Sequence, residues 1–401
     1  MDKELNEILQ SHVITSSEAE VRNKLLAASF VVVDKDEILY TGAAGRLDFE
    51  PSSPAYGPDS ISWLASMTKL ATAVILLQLV ERGVVALDDD LSSILPDLAA
   101  LPVLRGFDDD GKPILETHGR AITLRHLLSH ALGIGVDMAD PDLIRWSKAT
   151  DRSINYMSYT LDGIKTPLKF APGEGWYYGT AYDWAGQLLT RLTGSPLSSY
   201  MRDNIFEPLD MTSTGFQVDA IPDSANRRLA FAVSEDGILK PGPSPFAATK
   251  GEIEAGGSGL FSAPADYARL LQGVLANKVL KPETTDLLFA PQLNDAQRGI
   301  LMAIAAYTHD GGFAPELPPD SPLDHGLGGL LNMQDVPGKR RAGSLMWSGA
   351  TNGRWWIDRT TGVAGAVFTQ VEPHGNSVVV RIYDQLERAV YRALSERKVQ
   401  I

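Results

Sequence analysis

The 401-residue chain contains no cysteine. That excludes disulfide scaffolds, Cys-bound zinc, iron–sulfur clusters and thiolate nucleophiles, and it fits a reducing compartment. Basic residues are also scarce. The 36 Lys and Arg stand against 50 Asp and Glu, a formal net charge of −14. A surface of that sign repels phosphate backbones, which argues against nucleic acid and anionic membrane as partners. Long apolar runs are missing too. The most apolar stretch, Leu70–Val80, falls short of the about 20 residues a bilayer requires, and Thr72 and Gln78 interrupt it. Met1–Gln10 has neither a basic nor an apolar secretory region. The chain has no Gly-x-Ser-x-Gly elbow, no His-Glu-x-x-His and no His/Asp cluster at metal spacing. The expectation is a soluble, cytoplasmic protein that uses no metal and no cofactor.

What is present reads as an ordinary globular chain, 44% hydrophobic and 21% charged. Its length suits two or three domains, or one large domain with an insertion. Asp2–His12 reads as an amphipathic helix. Ala27–Val33 and Glu37–Ala43 flank Asp34-Lys35-Asp36 as a β-hairpin. Ser66–Arg82 reads as a helix closed by Gly83, and Thr123–His130 as a helix with Thr123 as N-cap. From Leu91 to about Pro291 the pattern is mostly helical. Gly343–Trp347, Gly353–Asp358 and Val363–Gln370 read as three strands, with Asn352-Gly353 and Thr361-Gly362 as turns. Asn376–Leu394 closes the pattern as a helix.

Strands at both ends with helices between predict an α/β (α+β) fold. One antiparallel sheet is built from both termini and flanked by helices, with a largely helical domain inserted. The expected boundaries are residues 1–90 and 335–401 for the sheet domain and 91–334 for the insert. A cleft between the two is the expected ligand site.

Ser66-Met67-Thr68-Lys69 is the chief candidate for chemistry. The Ser-x-x-Lys spacing recurs at Ser395-Glu396-Arg397-Lys398, so the spacing alone carries little. Ser66, however, opens a strongly apolar helix, where backbone N–H groups favour developing negative charge. Lys69 lies one turn later on the same face, within reach of the Ser66 oxygen. The bland alternative is a plain N-cap beside a surface Lys. His126 and His130 read as packing or hydrogen-bonding residues. Asp88–Asp90 and Asp108–Asp110 read as solvated turns rather than calcium loops.

With these residues the sequence resembles the serine β-lactamase/penicillin-binding-protein superfamily, in its class C-like branch. That branch includes family VIII carboxylesterases and fungal lovastatin-type acyltransferases. Ser66-Met67-Thr68-Lys69 matches the nucleophile motif. Ile122–His130 matches a helix of the ITLRHLLTH type, and Pro172–Gly179 the PGxxWxY segment that carries a catalytic Tyr. Glu254–Ser262 matches a Gly-rich GGLFS segment, and Trp347-Ser348-Gly349 stands in the place of the third motif. Leu101–Asp110, Tyr178–Gly186 and Phe368–Pro373 look most like the lovastatin-type acyltransferases.

The resemblance implies a β-lactamase/transpeptidase-like fold and a Ser66, Lys69 and Tyr178 catalytic set. Either Lys69 or Tyr178 would be the general base, and Tyr177 is the neighbouring rival for the Tyr role. It also implies an oxyanion hole made by the Ser66 and Ala350 N–H groups. Where β-lactamases of this branch carry Lys-Thr-Gly, this chain has Trp347-Ser348-Gly349, and where they carry Asn two residues after the Tyr it has Thr180. The lost Lys is the expected partner of a β-lactam carboxylate. Trp63, Trp176, Tyr177, Trp347, Ser348 and Gly349 are the expected substrate-binding residues.

The reading is a serine esterase or acyltransferase that works through an acyl-Ser66 intermediate on a neutral small-molecule ester or thioester of secondary metabolism. Its partners would be that ester, an acyl acceptor and an acyl carrier domain. The alternatives are a β-lactamase or D-Ala-D-Ala peptidase, and a non-catalytic binding protein on the same fold.

Overall fold

The computed structural model describes residues 1–14, 22–243, 251–308 and 312–399. Its centre is a seven-stranded antiparallel sheet made from both ends of the chain. The N-terminal part supplies β1 (Ala27–Val33) and β2 (Ile38–Gly45). The C-terminal part supplies β3 (Leu323–His325), β4 (Leu330–Asn332), β5 (Ser344–Ser348), β6 (Arg354–Asp358) and β7 (Val363–Phe368). The order across the sheet is β2-β1-β7-β6-β5-β4-β3. The two ends join where β1 pairs with β7, Ser29 opposite Phe368 and Val33 opposite Ala364. All seven residues of β1 are buried, as expected of a strand covered on both faces.

Helix α1 (Asp2–His12) packs on β2 and on the long helix Ser377–Val399. Helix Pro264–Leu275 covers β1 and β7. The second Ser-x-x-Lys lies inside the long C-terminal helix, where the Ser395 hydroxyl donates to the Tyr391 carbonyl at 2.8 Å. Among the described residues no helix is long and apolar enough to cross a membrane.

One expectation needs correction. The sheet does not stop at residue 335, because β3 and β4 lie inside the range assigned to the insert. These strands have three residues each, too short for a period-2 pattern to stand out. The largely helical insert also carries two short hairpins, which the sequence pattern did not mark. Val103–Phe107 and Pro113–Glu116 form a hairpin, as do Ala232–Glu235 and Ile238–Pro241. The first turns at Asp108–Gly111, where the Asp108 carboxylate accepts from the Asp110 and Lys112 N–H groups and Gly111 takes φ +79. Asp108 to Asp110 thus make a turn of the Asx type.

A buried ionic knot holds the C-terminal helix to the sheet. Both Glu387 oxygens accept from Arg340, at 2.8 and 2.7 Å, and Lys339 lies 3.1 Å away. Burial pushes the Glu387 carboxyl up, but the Arg340 and Lys339 charges outweigh it and hold it at about 2. The stability this group contributes is therefore present above about pH 4.5 and is lost as pH falls toward 2. Glu387→Ala takes the nearest carboxylate from two buried cations, leaving Lys339 with Asp384 at 3.0 Å and Arg340 with Glu316 at 3.9 Å, and breaking a buried pair in this way costs about 3–5 kcal/mol. Urea unfolding at pH 7 checks the loss. The same titration between pH 4.5 and 2 should show wild type losing stability that the variant no longer has to lose.

Candidate active site

The nucleophile candidate sits on a strained bend. Ala65–Met67 form one 3-10 turn, and the α-helix Thr68–Glu81 follows directly. Ala65 has φ +47, a left-handed conformation that costs a non-Gly residue about 1–3 kcal/mol and tends to persist at functional positions. The bend leaves Ser66 partly exposed while its neighbours Ala65 and Met67 are buried. Ser66 does not cap the helix, so the N-cap reading falls. Nor is Lys69 a surface residue, at 4% exposed. The helix Thr68–Glu81 is buried all round through Leu79, so one turn in it carries Lys69 into the interior.

Three polar atoms close into a triangle. The Ser66 Oγ to Tyr178 Oη distance is 2.5 Å, and Lys69 Nζ donates to Ser66 Oγ at 3.0 Å and to Tyr178 Oη at 2.9 Å. A third donation runs from Lys69 to the Gly257 carbonyl at 2.8 Å.

The Gly-rich segment is the spine that fixes this geometry. The Thr72 hydroxyl donates to the Gly256 carbonyl at 2.6 Å, the Gly257 N–H to Asp183 Oδ1 at 3.0 Å, and Trp63 Nε1 to the Ser258 carbonyl at 2.5 Å. Ser258 and Tyr156 share a hydroxyl–hydroxyl bond of 2.6 Å. On the facing side, Gly349 directly follows strand β5. A Cβ there would lie 2.5 Å from the Leu64 carbonyl, so only glycine lets the strand end approach the nucleophile's bend. The Gly349 N–H goes to the Gly353 carbonyl, and Ala350, next along, lines the cleft with Ser66.

The cleft is about 360 Å³. Trp63, Trp347, Ser348, Gly349 and Ala350 line it, together with Ser258 of the Gly-rich segment and with Tyr156, Met157, Phe313 and His374, which no sequence motif marks. Trp347 forms a wall, stacked on Phe313 at 5.6 Å and on His130 at 6.1 Å. Thr180 is buried and its hydroxyl has no hydrogen-bond partner.

Trp176 and Tyr177 are corrections, because neither lines the cleft. Trp176 is fully buried behind it, against Phe313 and His130. Tyr178, two residues on, touches the same two rings. Tyr177 lies between them and projects the other way, and its hydroxyl donates to Asp140. The alternation that sends Tyr178 toward Lys69 thus removes Tyr177 as its rival.

Burial pushes the His130 imidazole well below its usual range, helped by the His325 and Lys69 charges. Burial likewise takes His325 down to about 4, although the Gly326 carbonyl and Asp324 act against it. Both rings are neutral near pH 7. Burial raises the Asp183 carboxyl to about 6, with the Lys69 charge and the Gly257 N–H acting to lower it. Among the described residues no group of three or more His, Cys, Asp or Glu is placed to hold a metal.

A model of the Beta-lactamase family matches residues 12–389. The chain belongs to the beta-lactamase family. Within that family it is 36% identical over 348 residues to monacolin J acid methylbutanoyltransferase of Aspergillus terreus, covering 84% of this chain and 83% of that protein. It is 34% identical over 349 residues to lovastatin esterase of Penicillium rubens, covering 85% and 88%. A simvastatin synthase from Aspergillus terreus, in an engineered form, superimposes with a TM-score of 0.86 at 33% identity, covering 93% of this chain and 91% of that one. These beta-lactamase-family relatives are acyltransferases and esterases, and this chain is an acyl-transfer enzyme of the same family.

Proposed function

We propose that the chain transfers an acyl group from a neutral small-molecule ester or thioester through an acyl-Ser66 intermediate. The observation that carries this is the Ser66–Lys69–Tyr178 triangle, closed at 2.5, 3.0 and 2.9 Å at the floor of an aromatic cleft.

In this reading the Tyr178 oxygen is the base, with Lys69 Nζ 2.9 Å away to support it. It takes the Ser66 proton as Oγ bonds to the substrate carbonyl carbon, and the carbonyl becomes an oxyanion. The Ser66 and Ala350 N–H groups receive that oxyanion. The intermediate collapses, the bond from acyl carbon to leaving alcohol or thiol breaks, and Tyr178 returns the proton to the leaving group. Water or a second alcohol then enters by the same steps in reverse. Lys69 steadies the negative charge on Tyr178 between steps.

The walls point to the substrate class. By the motif match Trp347 replaces the Lys of β-lactamases of this branch; it packs on Phe313 in the cleft, and Trp63 and Met157 extend the apolar surface. Such a pocket suits short to medium aliphatic acyl groups. Burying a side chain of that size is worth about 1.5–3 kcal/mol. The relatives' names give monacolin J acid and lovastatin as what they act on, and a small-molecule ester of secondary metabolism is proposed here. A carrier-bound thioester as donor and a cytoplasmic location belong to this reading.

The test is kcat/KM for p-nitrophenyl butyrate beside nitrocefin. The expected result is a large preference for the ester. Trp347→Ala should lower kcat/KM for the butyrate by about one to two powers of ten and leave an acetate ester nearly unchanged. Faster turnover of nitrocefin than of the ester by the unaltered protein overturns the reading in favour of lactam hydrolysis. Turnover of neither favours a binding protein.

A further inference from the structure

Asp183 is a buried acid that the acyl-transfer scheme above does not use. It is 1% exposed, in the first turn of the helix Ala181–Thr193. Among the described residues it forms no salt bridge, and Lys69 is the only cation acting on it. Tyr156 and Tyr159 are the other titratable groups that face it, and each is pushed up, first by burial and then by the Asp183 charge. Its link to Lys69 is a single peptide. Oδ1 accepts the Gly257 N–H at 3.0 Å, and the Gly257 carbonyl accepts Lys69 Nζ at 2.8 Å. The fit is tight. A Cβ on Gly257 would lie 2.9 Å from Asp183 Oδ2 and 3.2 Å from Oδ1.

An acid held here without a contact ion pair weakens the fold, since a neutral group of the same shape needs no desolvation. Its value lies in the reaction. As the Ser66 proton moves to Tyr178, the negative charge beside Lys69 leaves for the oxyanion. Lys69 then needs another negative partner to stay charged and aimed. A carboxylate behind the Gly257 peptide supplies it and polarises the carbonyl that receives the third Lys69 N–H.

We propose that Asp183 is the positioning residue of the proton-transfer unit, acting through the Gly257 peptide to hold Lys69 charged and directed at Ser66 and Tyr178. The inference rests on the Ser66–Lys69–Tyr178 reading above. Asp183 ionises above about pH 6, so turnover should fall as pH drops through that value.

The experiment measures kcat and KM for p-nitrophenyl butyrate from pH 5 to 9 on the whole protein, on Asp183→Asn and on Gly257→Ala, with Ser66→Ala alongside. Asp183→Asn should lower kcat about a hundredfold with little change in KM, lose the acidic limb near pH 6, and unfold no earlier than the parent. Gly257→Ala keeps the acid but displaces it, so it should lower kcat and shift the limb, and it decides the matter should the Asn variant fail to fold. Unchanged kcat, or a lower kcat that keeps the parent's limb and comes with earlier unfolding, overturns the inference. Ser66→Ala separates the two claims. If it is inactive while Asp183→Asn behaves as the parent, only the role of Asp183 falls. If it stays active, the reading of the site falls.

Discussion

Ser66→Ala should lose about four to six powers of ten in kcat toward p-nitrophenyl butyrate while its unfolding midpoint stays with the parent. The side chain is partly exposed and caps no helix, so its hydroxyl carries little of the fold. It is also the acceptor and donor at which Lys69 and Tyr178 converge, at 3.0 and 2.5 Å. A fluorophosphonate should add one covalent mass to the peptide that contains Ser66 and none to the Ala variant. Full activity in the Ala variant, or an adduct on another residue, removes Ser66 as nucleophile.

Lys69→Ala and Tyr178→Phe should each lower kcat by about three to four powers of ten, and the double variant should be little worse than either alone. The reason is geometric. The Lys69–Tyr178 hydrogen bond of 2.9 Å and the shared contact with Ser66 make one proton-transfer unit, and removing either corner disables it. Two losses that add in full would mean two independent roles. Tyr177→Phe should leave kcat close to the parent, because that hydroxyl is engaged with Asp140.

The parts of the molecule legible in the sequence were those with local signals. The hairpin Ala27–Val33/Ile38–Gly45 turns at an Asp-Lys-Asp tripeptide, and β5 to β7 are separated by Asn352-Gly353 and Thr361-Gly362. The Thr123 cap is present, its side chain accepting from the His126 N–H. Ser66 and Lys69 share one turn, and Tyr178 was found by resemblance rather than spacing, since more than a hundred residues separate it from Ser66.

What escaped is what only tertiary structure assembles. Tyr156, Phe313 and His374 meet at one cleft from three distant segments, and no periodicity links them. Trp176 and Tyr177 misled because adjacency in sequence is not adjacency in space. Asp183 drew no attention because an acid in the first turn of a helix already has a reason to be there, in the helix dipole. The short strands β3 and β4 were hidden by their length.

The pairing of β1 with β7 has a consequence for how this enzyme comes into being. Ser66 is made early, but the strand Ser344–Ser348 that leads into Gly349 and Ala350 is made near the end, and the sheet closes only when Ser29 meets Phe368. On the ribosome the nucleophile must therefore wait for most of synthesis without Ala350, beside a hairpin whose inner edge is open. Contacts so distant along the chain make for slow closure, and an unpaired β1 edge of Phe30, Val31, Val32 and Val33 is the kind of surface that associates with other chains. Chaperone capture of nascent chains is where that exposure would be felt first.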